Sequence, residues 1–101
     1  MKKQQGDVII KGSPIPKGAK RVFRKPRGFV LAEGEATGHA HVIEEHIEMY
    51  EKDGTYYLRV ERPITVRHEE HKPISLDSGT YKVQIVREYD PFEEEVRRVA
   101  D

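Results

Sequence analysis

Alternating apolar and polar positions recur along most of this chain, and they predict strands. Phe29-Val30-Leu31-Ala32 is a short apolar run opened by Gly28. Tyr56, Leu58 and Val60 fall on one side of a strand, Ile64 and Val66 on one side of another, and Tyr81, Val83 and Ile85 on one side of the last long one. Between Ile47-Glu48-Met49-Tyr50 and Tyr56 lies Glu51-Lys52-Asp53-Gly54-Thr55, whose Asp-Gly pair is a strong hairpin signal. Val8-Ile9-Ile10 is a further short strand, preceded by residues 1–7, which read as a polar tail. Pro14 and Pro16 mark a loop or extended connector before Arg21-Val22-Phe23. The expected fold is mainly β, a small antiparallel barrel or sandwich.

The period changes at the C-terminus. Asp90-Pro91-Phe92-Glu93-Glu94-Glu95 has the order of an N-cap, a first-turn proline and first-turn acids, and Phe92, Val96 and Val99 recur as one helical stripe. This predicts a short helix over 91–99, docked on the β-structure or on another subunit. At under three turns it needs that docking to be stable.

With 101 residues the chain can bury one modest core, and it contains no cysteine. Disulfides, thiolate metal sites and cysteine nucleophiles are therefore excluded. No apolar run is long enough to span a membrane and the N-terminus lacks the apolar stretch of a secretory signal, so a cytoplasmic location is expected, with virion association as an alternative.

The net charge is zero, yet residues 1–27 carry nine cations and one anion, leaving the remainder at −8. The charge divides the chain into a basic N-terminal arm with a proline-rich connector, residues 1–27, and a β-rich domain, residues 28–101. Lys17, Lys20, Arg21, Arg24, Lys25 and Arg27 are the arm's candidate polyanion contacts. The arm either seeks nucleic acid, helped by stacking from some of the five tyrosines, or neutralises acidic surface on its own chain or on a neighbouring subunit. Tyrosines in strands also serve as core and cross-strand pairs.

Four of the five histidines lie in two short segments, Gly34-Glu35-Ala36-Thr37-Gly38-His39-Ala40-His41 and His68-Glu69-Glu70-His71. On a strand His39 and His41 point the same way, with Cα atoms about 6–7 Å apart, close enough to share one ion. His68 follows Ile64 and Val66 on the inferred core side, where a polar ring requires a partner. On an extended chain the spacing of His68 and His71 would splay their rings, so a turn at Glu69-Glu70 is needed to bring both to one place. His46 is expected at the surface.

Three readings of the cluster stand. It binds a divalent transition metal through His39, His41, His68 and His71, it forms a metal-free polar or substrate-contact network, or its members are separate core and surface histidines. Imidazole and carboxylate donors do not choose between Zn, Fe, Mn, Ni and Cu. The glycines around Glu35 do not form a phosphate loop, since the lysine-serine or lysine-threonine element is missing. They are expected to permit a tight turn that presents Glu35 and His39. Ser75 and Ser78 have no convincing base beside them in the sequence.

His39-Ala40-His41 with Glu45 and a later histidine resembles a cupin site, which implies metal held inside a jelly roll. Glycine spacing after the glutamate, and Pro73-Ile74 after the second histidine pair, depart from the cupin pattern. Gly34 to His41, His71-Lys72-Pro73-Ile74 and Arg87-Glu88-Tyr89-Asp90-Pro91 together resemble a group of small prokaryotic and phage-genome proteins. The resemblance covers residues 28–100, carries no activity with it, and keeps an accessory or assembly role in view. The functional expectations are a metal-binding accessory or assembly protein, working as a homo-oligomer or with a protein partner; a hydrolytic or oxidative metalloenzyme with Glu35 as acid or base; and a nucleic-acid-binding or oligomerisation module using the basic arm.

Overall fold

The computed structural model describes residues 2–34 and 37–86, and within them every regular element is a strand. The ten strands are β1 (Lys2–Gln5), β2 (Val8–Gly12), β3 (Lys20–Val22), β4 (Phe29–Glu33), β5 (Ala40–Ile43), β6 (Glu48–Lys52), β7 (Thr55–Val60), β8 (Ile64–Arg67), β9 (Ile74–Leu76) and β10 (Gly79–Ile85). They form two antiparallel sheets, one in the order β1-β2-β10-β7-β6-β3 and one in the order β4-β5-β8-β9. Among the described residues the architecture is thus a sandwich with open edges and no closed barrel. The helix expected over 91–99 lies outside the described residues. No helix among the described residues is long and apolar enough to cross a membrane.

Period-2 alternation builds the core. Val8 and Ile10 of β2, Tyr81 and Val83 of β10, Leu58 and Val60 of β7 and Met49 of β6 face inward from the larger sheet. Phe29, Leu31, Ile43, Ile64, Val66 and Leu76 meet them from the smaller one. Two short loops set the register of the larger sheet. Asp53 and Gly54 both have positive φ, 51° and 79°, as a type I′ turn requires, and they close β6 onto β7 with Lys52 opposite Thr55. Gly6 has φ 57° and starts the two-residue loop that folds β1 back on β2, with Gln5 opposite Val8.

Several expectations change. Residues 2–5 form a paired edge strand, and Gly6-Asp7 is a loop, so this stretch is not a loose tail. Its polar composition conceals one inward side chain, Gln5, which is buried. The basic segment 1–27 supplies β1, β2 and β3 of the larger sheet, with β1 and β3 at its two edges and β2 between β1 and β10. Ile85 stands 46% exposed at the end of β10, where the inward-facing side runs past the core. All four residues of β5 are buried, so both of its faces are covered. On the outer side Ala40 and Val42 lie beneath a pocket walled by Arg27, Arg67 and Glu69.

Leu58 is fully buried at the centre of the larger sheet, whereas Ile85 is half in solvent. Leu58→Ala should cost about 2–5 kcal/mol in chemical denaturation, and Ile85→Ala should stay within about 0.5 kcal/mol. Equal losses for the two variants would mean that the sheets do not face one another as described.

Candidate functional site

The site lies where β5, the turn after β8 and the β1–β2 loop meet. His41 of β5 is buried, and His39 just before the strand and His68 just after β8 are half-buried. His71, three residues further on, is exposed in its own right but closes the group. Ring centroids are 4.4 Å apart for His41 and His68, 4.6 Å for His68 and His71, 5.8 Å for His39 and His68, and 6.0 Å for His41 and His71. The four histidines are therefore one cluster, with His68 at its centre.

Two clamps hold the turn after β8 in place. Glu69 accepts the Ala40 backbone N–H at 3.0 Å with Oε1 and the Arg27 guanidinium at 2.7 Å with Oε2. The Ala40 amide, Glu69's own amide and Arg27 hold its carboxyl far below the usual range, at about 2. From the other side, the buried Gln5 side-chain amide donates to the carbonyls of Val66 at 3.0 Å and Lys72 at 2.8 Å. The turn is thereby fastened to both sheets. Gly6 completes the fit, because a Cβ on it would lie 2.6 Å from His71 Nε2.

Gln5 also decides which nitrogen of His41 carries its proton. Both N–H bonds of its amide are committed to carbonyls, so Oε1 can only accept from His41 Nδ1, 2.8 Å away. Neutral His41 is then protonated at Nδ1, and its Nε2 presents a lone pair to Asp7 Oδ1 at 3.4 Å. Burial, with His68 as the next contributor, lowers the His41 pKa from its ordinary 6.5, while Asp7 acts the other way. The result is two electron-pair donors facing each other across a gap. His39 Nδ1 sits 3.2 Å from Glu70 Oε1, and His68 Nδ1 accepts the Glu70 backbone N–H at 3.0 Å.

Asp7, Ala32, Glu33, Gly34 and the four histidines line a cavity of about 210 Å³. Among the described residues no group of three or more His, Cys, Asp or Glu side chains stands ready to hold a metal ion. Glu35, the expected acid or base, lies outside the described residues. Glu45, the carboxylate of the cupin-like pattern, accepts the Thr65 N–H and lines a separate cavity with an exposed His46. Of the basic residues, Arg27 is tied to Glu69, Lys20 and Arg21 lie on β3, and the Lys17 carbonyl accepts from the Lys52 ammonium. Lys17, Arg24 and Lys25 are exposed, and none of the three lines the histidine cavity.

Asp7, Gln5 and Gly6 are the site residues that sequence reasoning missed. Gly6-Asp7 directly before Val8-Ile9-Ile10 is a two-residue hairpin signal that would have returned the first residues to the sheet. Nothing in the sequence marks Gln5, as distinct from Gln4, as the buried one until that register is known.

Fold and site define a class, an open two-sheet β-sandwich with clustered imidazoles and a facing carboxylate at one end. The chain belongs to the family described as Domain of unknown function (DUF8820), whose model matches residues 4–86. No curated protein and no solved structure matches it.

Replacing Gln5 with leucine leaves the Val66 and Lys72 carbonyls without their donor and should cost about 1–3 kcal/mol. The pH dependence has two windows. His41 binds a proton more readily unfolded than folded, so its contribution is complete above pH 6.5 and fades as pH falls below that value. The Glu69 contribution is present above its ordinary value of 4.5 and disappears as pH falls through about 2. Melting temperatures taken in chelator across this range should show both declines, with His41→Gln flattening the upper and Glu69→Gln the lower.

Proposed function

We propose that the protein binds one divalent transition metal in the histidine cluster and acts as a metal-binding accessory or assembly protein. The observation that carries this reading is the pair formed by His41 Nε2 and Asp7 Oδ1. Two electron-pair donors 3.4 Å apart repel unless a cation or proton lies between them, and the lowered pKa of His41 disfavours the proton. Two ligands of one tetrahedral ion, each about 2.0–2.1 Å from it, are separated by roughly 3.3–3.4 Å. The gap has the size of a ligand edge.

The surroundings fit the same chemistry. Imidazoles on one tetrahedral ion have centroids roughly 5 Å apart, and the measured separations bracket that value. His41 is oriented through Nδ1 by a side-chain amide, and His39 has a carboxylate at Nδ1, the outer-shell partners that metal-bound imidazoles use. A third ligand must come from rotation of a neighbouring ring. If His68 supplies it, the Glu70 N–H bond is lost with either nitrogen. Binding through Nδ1 consumes the accepting lone pair, and binding through Nε2 puts the proton on Nδ1. The cavity is below the roughly 300 Å³ at which small-molecule sites begin, which favours an ion with its waters over an organic substrate.

Purified, tag-free protein reconstituted with Zn(II) or Co(II) should retain close to one ion per chain and melt at a higher temperature than in chelator. Asp7→Asn and His41→Ala should each weaken retention and reduce the thermal shift. His68 ligation should move the Glu70 amide resonance on loading. Retention below a tenth of an ion per chain after reconstitution would refute the proposal and leave the cluster as a metal-free polar network.

A further inference from the structure

The outer face of the six-stranded sheet, remote in composition from the histidine site, carries a second arrangement. The register aligns Lys2 with Lys11, Lys11 with Lys82, Lys82 with Tyr57, Tyr57 with Tyr50, and Tyr50 with Arg21. This is one continuous row across all six strands. Its members alternate with the inward-facing Ile10, Val83, Leu58 and Met49, so the row faces away from the core. The Arg21 guanidinium lies 5.6 Å from the Tyr50 ring centroid and 5.8 Å from that of Phe23, which is 75% exposed.

Charge on this face is one-sided. Lys52 and Arg59 share it, and the only acidic strand residue on it among those described is Glu48, which is bound to Arg59 and Tyr50. Among the described strand residues six cations thus oppose one anion on this face, in a chain whose formal net charge is zero. A basic row with two tyrosines toward its middle matches a charged backbone that carries planar rings. We propose that this face binds single-stranded nucleic acid, with Lys2, Lys11, Lys82 and Arg21 meeting phosphates and Tyr57 and Tyr50 stacking on bases.

The dimensions and chemistry agree on this occupant. Six strands about 4.8 Å apart span roughly 24 Å, enough for about four nucleotides, the lower end of the site sizes known for single-strand-binding β-folds. A duplex keeps its bases stacked inside and offers the tyrosines nothing to stack on. An acidic protein surface would engage the cations and leave the rings without a role. The Arg21 stack on Tyr50 extends the platform toward Phe23, as arginine does beside stacking aromatics.

The test is fluorescence anisotropy of the full-length chain, kept metal-free with chelator, against labelled 12-mers of deoxythymidine and of uridine between 50 and 200 mM salt. With four phosphate contacts the logarithm of affinity should fall against the logarithm of salt with a slope of about −3, and Lys82→Gln should make it shallower by about 0.7. Tyr57→Ala should weaken binding about tenfold with the slope unchanged. Saturation with oligonucleotide should also quench tyrosine fluorescence in the unmodified chain, a readout that needs no variant. Absence of binding at 50 mM salt would overturn the proposal, as would binding without tyrosine quenching. Competition by matched duplex or by polyglutamate as effective as that by the single strand would reassign the face to general polyanion or acidic-protein attraction.

Discussion

The buried side-chain amide of Gln5 is the interaction on which the arrangement of this protein's histidine site depends. A primary amide has two donors and one carbonyl oxygen, and here all three groups are used by partners from different parts of the chain. Its N–H groups hold Val66 at the end of β8 and Lys72 beyond the turn, while its oxygen receives the Nδ1 proton of His41. A buried amide missing one of these contacts would carry a desolvation penalty of about 1–3 kcal/mol, so the three bonds favour one another. Fastening the turn after β8 therefore also fixes the tautomer of a histidine on another strand.

That coupling explains why an edge strand with four polar residues is ordered. β1 contributes no apolar side chain to the core, and pairing with β2 alone is a modest gain for a strand of its length. Gln5 adds an anchor in the opposite sheet, and Lys3 adds another by donating its ammonium to the Ser75 carbonyl. The edge is held across the sandwich as well as along the ladder. The edge strand is short and carries two lysines, both among the ways in which sheet edges avoid pairing with other chains.

Most of the fold was legible because alternation is a local property. Tyr56-Leu58-Val60 and Ile64-Val66 needed no knowledge of their neighbours to be assigned a side, and Asp53-Gly54 announces its turn by backbone sterics alone. The gathering of His39, His41, His68 and His71 was legible only as a condition, since their spacing permits one cluster without requiring it. What brings them together is long-range: the Glu69 carboxylate on the Ala40 amide joins residues 29 positions apart, and Gln5 reaches 61 positions to Val66. Asp7 illustrates the opposite failure. It looked like the lone acid of a basic tail, and it became a site residue once Gly6 turned β1 back onto β2.

Charge gives the sharpest contrast between order in sequence and order in space. Read linearly, the first 27 residues are a basic arm and the rest an acidic body. Folding redistributes that block by the parity of its strands. Lys2, Lys11 and Arg21 fall on the outward side of β1, β2 and β3, where the register sets them in line with Lys82 from the far end of the described chain. Arg27, only six residues from Arg21, instead crosses to the other sheet and pairs with Glu69 beside the histidines. A cation's role here is set less by its membership of a basic stretch than by the face of the strand that carries it. The same parity sends Gln5 inward and Gln4 outward, so one alternation rule separates the basic surface from the clamp that shapes the histidine site.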